Sequence, residues 1–311
     1  MANIIEVKDL RKSYGKGENK VDALKGISFN IKKGETFGFL GPNGAGKSTT
    51  INILCGLLSK DSGHVRIFGN DIRKDFEQIK QRMNVANAYT HLNNSLTVEQ
   101  NLRVYGKLYG VKDVEKKIAE VADTFSIVYL KKKEAGKLSS GENTRVCLAK
   151  CFISDPELML LDEPTVGLDP DFADKTKEYI REYQKTNNTT ILFTSHIMSE
   201  VEYLCKRILF LNNGEVLRLG SSRQLKNLVK TQIVELTLGM KKDKALALIK
   251  RSGGRLINYD SEKIVFEINQ LNYSLHDIMH PLIKAGFKIK DMHIKKPTLE
   301  QVFIKISRGE L

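Results

Sequence analysis

Two stretches of this chain combine residue types and spacings suited to polyphosphate chemistry. Gly41-Pro42-Asn43-Gly44-Ala45-Gly46-Lys47-Ser48 satisfies G-x-x-x-x-G-K-[ST] at every fixed position. Glycines at these intervals let backbone N–H groups converge on one anion. A helix starting at the lysine adds the positive end of its dipole. Lys47 is then placed to reach the β- and γ-phosphates of a nucleotide, Ser48 to ligate Mg²⁺, and Thr49 to touch the α-phosphate side. The second stretch is the apolar run 158–161, ending in Asp162-Glu163. Asp162 at a strand tip can hold Mg²⁺ through water beside Ser48. Glu163 can take a proton from an attacking water, a role worth roughly 10²–10⁴ in rate.

Such groups need elements to position them. Residues 4–7 and 26–31 alternate like half-buried strands, the second closed by a turn at Lys33-Gly34. Residues 36–40 read as a buried strand running into the glycine-rich loop. From about 96 to 125 the spacing of Leu96, Val98, Leu102, Tyr105, Leu108 and Tyr109 is helical. Residues 158–161 and 190–194 are short buried strands, so the chain alternates strand and helix, which predicts a largely parallel sheet covered on both faces. Asn213-Gly214 between two apolar runs is a hairpin signal.

After Gly220 the texture changes. A strand at 233–238, a helix at 242–251 and a break at Gly253-Gly254 are followed by a hairpin turning at Asp260-Ser261. A helix at 274–285, a strand at 287–294 and a last helix after Pro297 complete the order βαββαβ of a ferredoxin-like sandwich. The expected domains are therefore 1–220 and 221–311.

Leu138-Ser139-Ser140-Gly141-Glu142 precedes the acidic strand. Ser139 and Glu142 form an S-x-x-E capping box opening a helix through Arg145, Leu148 and Phe152. That start offers N–H groups and a hydroxyl to a phosphate, although a lone capping box is usually structural. Val166-Gly167-Leu168-Asp169 follows the acidic pair, Ser195-His196 follows the strand 191–194, and Tyr14 lies in Lys12-Ser13-Tyr14-Gly15. Alone, such a tyrosine or histidine more often serves packing.

Taken in order over residues 1–220, these elements resemble the ABC ATPases. Residues 138–142 are similar to that family's LSGGQ signature, with Ser140 for the first glycine and Glu142 for the glutamine. The resemblance implies a P-loop NTPase fold of the α/β class, with a mostly parallel sheet, an antiparallel β subdomain and a helical subdomain at about 90–155. It implies ATP and Mg²⁺ as cofactors, with Lys47, Glu163 and His196 catalytic and Tyr14 stacked on adenine. In this family two domains sandwich two ATP molecules, each between one domain's P-loop and the other's signature. Ser139, Ser140, Gly141, Glu142 and Asp169 would thus face a partner's nucleotide. With one P-loop and one signature, the chain is expected to form a homodimer or heterodimer and to drive a separate integral membrane permease. Pro297-Thr298-Leu299-Glu300-Gln301-Val302-Phe303 resembles the P-T-L-E-D-V-F ending of drug-exporter and other ABC-2-type subunits. An export-type transporter ATPase with a C-terminal accessory or regulatory domain is the function implied.

The chain departs from the family at two places. The glutamine that family members carry ahead of the helical region falls at about Ala88, with Asn87 the nearest amide. Glu142 adds negative charge to the signature unless its side chain turns to its own backbone, the orientation a capping box favours. These departures motivate a second reading, a weakly hydrolysing ATP-dependent regulatory module. The formal charge of +13 motivates a third, a soluble ABC ATPase acting on ribosomes or nucleic acid. Members of that kind carry two cassettes or long coiled coils, which are absent from these 311 residues, so a nucleic-acid partner is not expected. Residues 221–311 carry 17 Lys+Arg against 9 Asp+Glu, an excess suited to an anionic membrane surface or simply to solvent. No run approaches the roughly 18 apolar residues of a membrane span, and the start shows no secretion signal. A cytoplasmic chain, peripheral on the membrane's inner face, is expected. Cys55, Cys147, Cys151 and Cys205 lack metal-site spacing and read as buried reduced thiols.

Overall fold

The structure, a computed structural model, describes residues 2–86, 92–238, 242–260 and 262–311. The chain divides into two compact units, Met1–Ser221 and Ser222–Leu311. Each has a hydrophobic core of its own.

The first unit opens with two long antiparallel strands, β1 (Asn3–Tyr14) and β2 (Val21–Lys32). Ile5, Val7, Ile27, Phe29 and Ile31 are buried along them, the period-two pattern of a sheet with one dry face. β3 (Thr36–Leu40) is buried at all five positions and leads through the glycine-rich loop into α1 (Lys47–Leu54). β4 (Ser62–Ile67) and β5 (Asn70–Asp71) extend the first sheet to the order β2-β1-β4-β5. Next come α2 (Phe76–Lys80) and β6 (Met83–Ala86), then a helical region of α3 (Val98–Leu108), α4 (Val114–Thr124) and α5 (Ser140–Phe152). β7 (Leu158–Asp162), α6 (Pro170–Asn187), β8 (Thr190–Ser195), α7 (Met198–Leu204), β9 (Arg207–Asn212) and β10 (Glu215–Gly220) complete the unit.

The second sheet runs β10-β9-β3-β8-β7-β6 and is parallel except for the edge strand β10. β10 returns from β9 through Asn213 and Gly214, both at positive φ (47° and 76°), as a two-residue hairpin of the I′ type requires. β7 and β8 are buried throughout, which explains their continuous apolar character.

The single helical stretch expected over 96–125 is in fact two helices. Gly110 takes φ +70° after α3, and Asp113 caps α4 by accepting from the Lys116 N–H. A left-handed glycine followed by an aspartate cap stops one helix and starts the next, though apolar spacing continues through both. Phe152, at the end of α5, packs against Phe125, Tyr179 and Tyr183 with ring centroids 4.8–5.3 Å apart. This cluster ties α5 to α4 and α6.

The second unit contains α8 (Ser222–Lys226), β11 (Thr231–Leu238), α9 (Lys242–Arg251), β12 (Gly254–Tyr259), β13 (Lys263–Asn269), α10 (Leu275–Lys284), β14 (Ile289–Lys295) and α11 (Leu299–Ser307). Its four strands form an antiparallel sheet in the order β12-β13-β11-β14, the ferredoxin-like arrangement. Val234, Leu236, Phe266 and Ile268 pack against Ala245, Ile249, Ile278 and Leu282. All four cysteines are buried and free, and burial pushes the Cys55 and Cys151 thiols up to about 12. Among the described residues no helix is long and apolar enough to cross a membrane.

Candidate functional site

In the parallel sheet β8 lies between β3 and β7. Leu40 pairs with Ser195 and Asp162 with Thr194, so three site segments leave the carboxyl ends of neighbouring strands. These are the glycine-rich loop after β3, the acidic pair ending β7, and Ser195-His196 ending β8. Ligands of open α/β sheets bind at such strand ends.

Gly46 caps α1 at φ +108°, and a Cβ there would lie 2.7 Å from Leu24 Cδ2 and 2.8 Å from the Ala23 carbonyl. Only glycine meets both demands. The Lys47 side chain is buried and folds back over the loop, donating to the carbonyls of Gly41 (2.7 Å) and Pro42 (3.2 Å). Ser48 is exposed at the start of α1, and the Thr49 hydroxyl lies 3.4 Å from that of Tyr14. Tyr14 ends β1 and is 44% exposed. An aromatic face is thus available beside the first turn of α1.

The Thr194 hydroxyl donates to Asp162 Oδ1, and its oxygen accepts from the Glu163 N–H at 3.1 Å. The Thr194 carbonyl also accepts from that N–H. Glu163 is held at φ +52°, an uncommon conformation for a side chain of its size. Its carboxylate spans two cationic or ionisable neighbours. Oε1 lies 3.6 Å from the Lys47 ammonium and Oε2 3.2 Å from His196 Nδ1. Lys47, Glu163 and His196 are therefore brought together, with Asp162 linked to them through Thr194.

Sequence reasoning missed Thr194 and Glu200. Ser195 donates to the buried Glu200 carboxylate at 2.8 Å and accepts from the Ile197 N–H, which fixes the turn carrying His196. The available signal was a run of hydroxyl residues, Thr194-Ser195, ending an otherwise apolar strand.

The segment 138–142 starts α5 as its capping box implies. Ser139 Oγ accepts from the Glu142 N–H (3.3 Å) and Glu142 accepts from the Ser139 N–H (2.8 Å). Gly141 packs against the 166–169 turn so closely that a Cβ would lie 2.9 Å from the Gly167 carbonyl. Asp169 caps α6 by accepting from the Phe172 N–H. Among the described residues no hydrogen bond or ion pair joins 139–142 to the loop at 41–48 within the chain. A cleft of about 250 Å³ lies between Ser140 and Thr144 on α5, Ala86, and the Asp162-Glu163 pair. Asn87 and Ala88, the expected place of the family's glutamine, lie outside the described residues.

Residues 24–166 match the family described as "ABC transporter". Residues 220–307 match the "ATP-binding protein DrrA1-3-like, C-terminal domain". The linearmycin resistance ATP-binding protein LnrL of Bacillus subtilis is 31% identical over 316 residues, covering 98% of this chain and 98% of that protein. The doxorubicin resistance ATP-binding protein DrrA of Mycobacterium tuberculosis is 29% identical, over 97% of this chain and 93% of its own length. The bacitracin transport ATP-binding protein BcrA of Bacillus licheniformis is 37% identical, over 70% and 69% respectively. Among solved structures, the ATP-binding subunit of an ABC transporter superposes with a TM-score of 0.67 at 27% identity, covering 72% of this chain and 92% of that one. An ATP-binding cassette solved as a dimer in a post-hydrolysis state with ADP and Pi shares the fold, with a TM-score of 0.65 at 24% identity over 70% and 98% of the two chains. With a 31% identical relative matched along nearly all of both chains, the protein belongs to the ABC transporter family, as an ATP-binding subunit that hydrolyses ATP.

Proposed function

We propose that this chain is the motor of an ABC-2-type exporter. It works as a homodimer or with a related subunit, on the cytoplasmic face of the membrane, and drives a separate permease. The observation that carries the reading is the Glu163 carboxylate set between Lys47 and His196 at adjacent strand tips. The drug-resistance and transport names of its relatives support the export direction.

In this reading Lys47 exchanges its carbonyl partners for β- and γ-phosphate oxygens. The N–H groups of Asn43, Gly44, Ala45 and Gly46 surround the polyphosphate with Gly41 and Pro42 shaping the turn, Thr49 reaches the α-phosphate, and Tyr14 stacks on adenine. Ser48 and Asp162 offer the hard oxygen donors that Mg²⁺ takes, and the Thr194 hydrogen bond orients the Asp162 carboxylate as such a ligand needs. When bound, Mg²⁺ neutralises charge on the phosphates. Glu163 accepts a proton from the water that attacks the γ-phosphorus. The bond to the bridging oxygen breaks, leaving ADP and phosphate. His196 orients Glu163, and Ser139, Ser140, Gly141, Glu142 and Asp169 of the partner subunit close the site. ATP favours the closed pair and hydrolysis releases it, moving the permease between two states.

The test is to tag the chain, solubilise membranes gently and identify what co-purifies by mass spectrometry. One polytopic membrane protein is the expected result. Ribosomes or nucleic acid alone would overturn the exporter reading.

A further inference from the structure

We propose that Lys133 is a positioning residue of the ATP site, whose ammonium neutralises Glu142 so that the start of α5 can receive a phosphate. The inference rests on the two-subunit reading above.

Glu142 Oε2 accepts from Lys133 Nζ at 2.7 Å and from the Ser139 N–H at 2.8 Å. The Lys133 hydrogen bond, with the Ser139 N–H second, holds the carboxyl below its ordinary range, so Glu142 is anionic at neutral pH. An anion in the first turn suits a helix, but it cancels the partial positive charge that makes a helix start attractive to phosphate. A glutamine at this position, as in the family's signature, caps the backbone without that charge. The chain has a carboxylate there and supplies a cation beside it.

Lys133 is built to stay in place. Its carbonyl accepts from the Val98 N–H (3.0 Å), its N–H donates to Leu130 (2.8 Å), and Ala135 N–H donates to Leu96 (2.9 Å). The backbone bearing the ammonium is thus pinned to the entry of α3, while its side chain reaches the entry of α5. With the backbone fixed, only the side chain's own rotamers remain to be ordered when the ion pair forms.

Steady-state kinetics on the full chain tests this with Lys133→Met, Lys133→Arg, Glu142→Gln and the Lys133→Met/Glu142→Gln double variant. Lys133→Met should raise KM for Mg-ATP about three- to fivefold, the scale of an exposed charge interaction, with a smaller effect on kcat. Lys133→Arg should retain activity. The double variant should show a KM within about twofold of that of Glu142→Gln alone, because removing the carboxylate removes the need for its counter-ion. An unchanged KM in Lys133→Met overturns the proposal. So does an equal rise with and without the Glu142 carboxylate, and Lys133→Gln, which also removes the ammonium, keeps the comparison decisive if Lys133→Met folds poorly. If wild-type turnover survives Glu163→Gln, the reading of the whole site falls and takes this proposal with it.

Discussion

Glu163 sits at φ +52°, a conformation that costs a non-glycine residue about 1–3 kcal/mol. Its N–H donates to both the carbonyl and the hydroxyl oxygen of Thr194, and these bonds offset the cost. The same hydroxyl donates to Asp162, so one buried threonine holds both the Asp162 carboxylate and the Glu163 backbone. Glu163→Gln keeps the side chain's size and its two neighbours but removes the base. We expect turnover to fall roughly 10²–10⁴-fold while ATP binding is kept, measured by phosphate release and by equilibrium titration. Lys47→Ala removes the buried ammonium facing the loop carbonyls, and nucleotide affinity should fall as well. Tight ATP binding by that variant would count against the role given to the loop.

Helix entries carry much of the positioning at the scale of elements. Thr97, Ser139, Ser274 and Thr298 each close a reciprocal capping box, and Asp169 caps α6 ahead of Pro170. These short-range devices set where α3, α5 and α11 begin. The one at Ser139 also presents the segment proposed to meet a partner's ATP. Ser274, by contrast, lies in the second unit, which holds none of the proposed site residues. Ser274→Ala should lower the stability of that unit by about 1 kcal/mol in thermal or denaturant unfolding, with ATP turnover unchanged. A fall in turnover as large as that from Glu163→Gln would refute the division of labour.

For the molecule as a whole, the two cores share no residue, and every proposed ATP contact belongs to Met1–Ser221. Deleting residues 222–311 should therefore leave ATP binding intact, as measured by titration with a fluorescent nucleotide. Loss of binding would mean that the second unit is needed for the first to fold or to hold ATP. The positive excess of the second unit is partly internally balanced. Glu235 pairs with both Lys263 and Lys295, and Glu267 with Arg255 and Lys305.

Local signals in the sequence determined a good deal. The spacing of Gly41, Gly46 and Lys47 specifies a strand–loop–helix because only glycine tolerates the φ of residue 46 and the approach of Leu24 and Ala23. Ser139 with Glu142, and Asn213 with Gly214, mark a helix start and a hairpin because those backbone hydrogen bonds and dihedrals are satisfied within a few residues. The order βαββαβ was legible after Gly220 for the same reason. Apolar spacing ran through residues 96–125 without showing the break at 109–113, since periodicity registers a buried face and not the turn between two helices. Only the tertiary structure decided that β8 lies between β3 and β7. Strand order is set by packing between distant segments, and no local pattern encodes it. That order is what places Glu163 between Lys47 and His196, and Thr194 beside the Asp162 carboxylate and the Glu163 backbone.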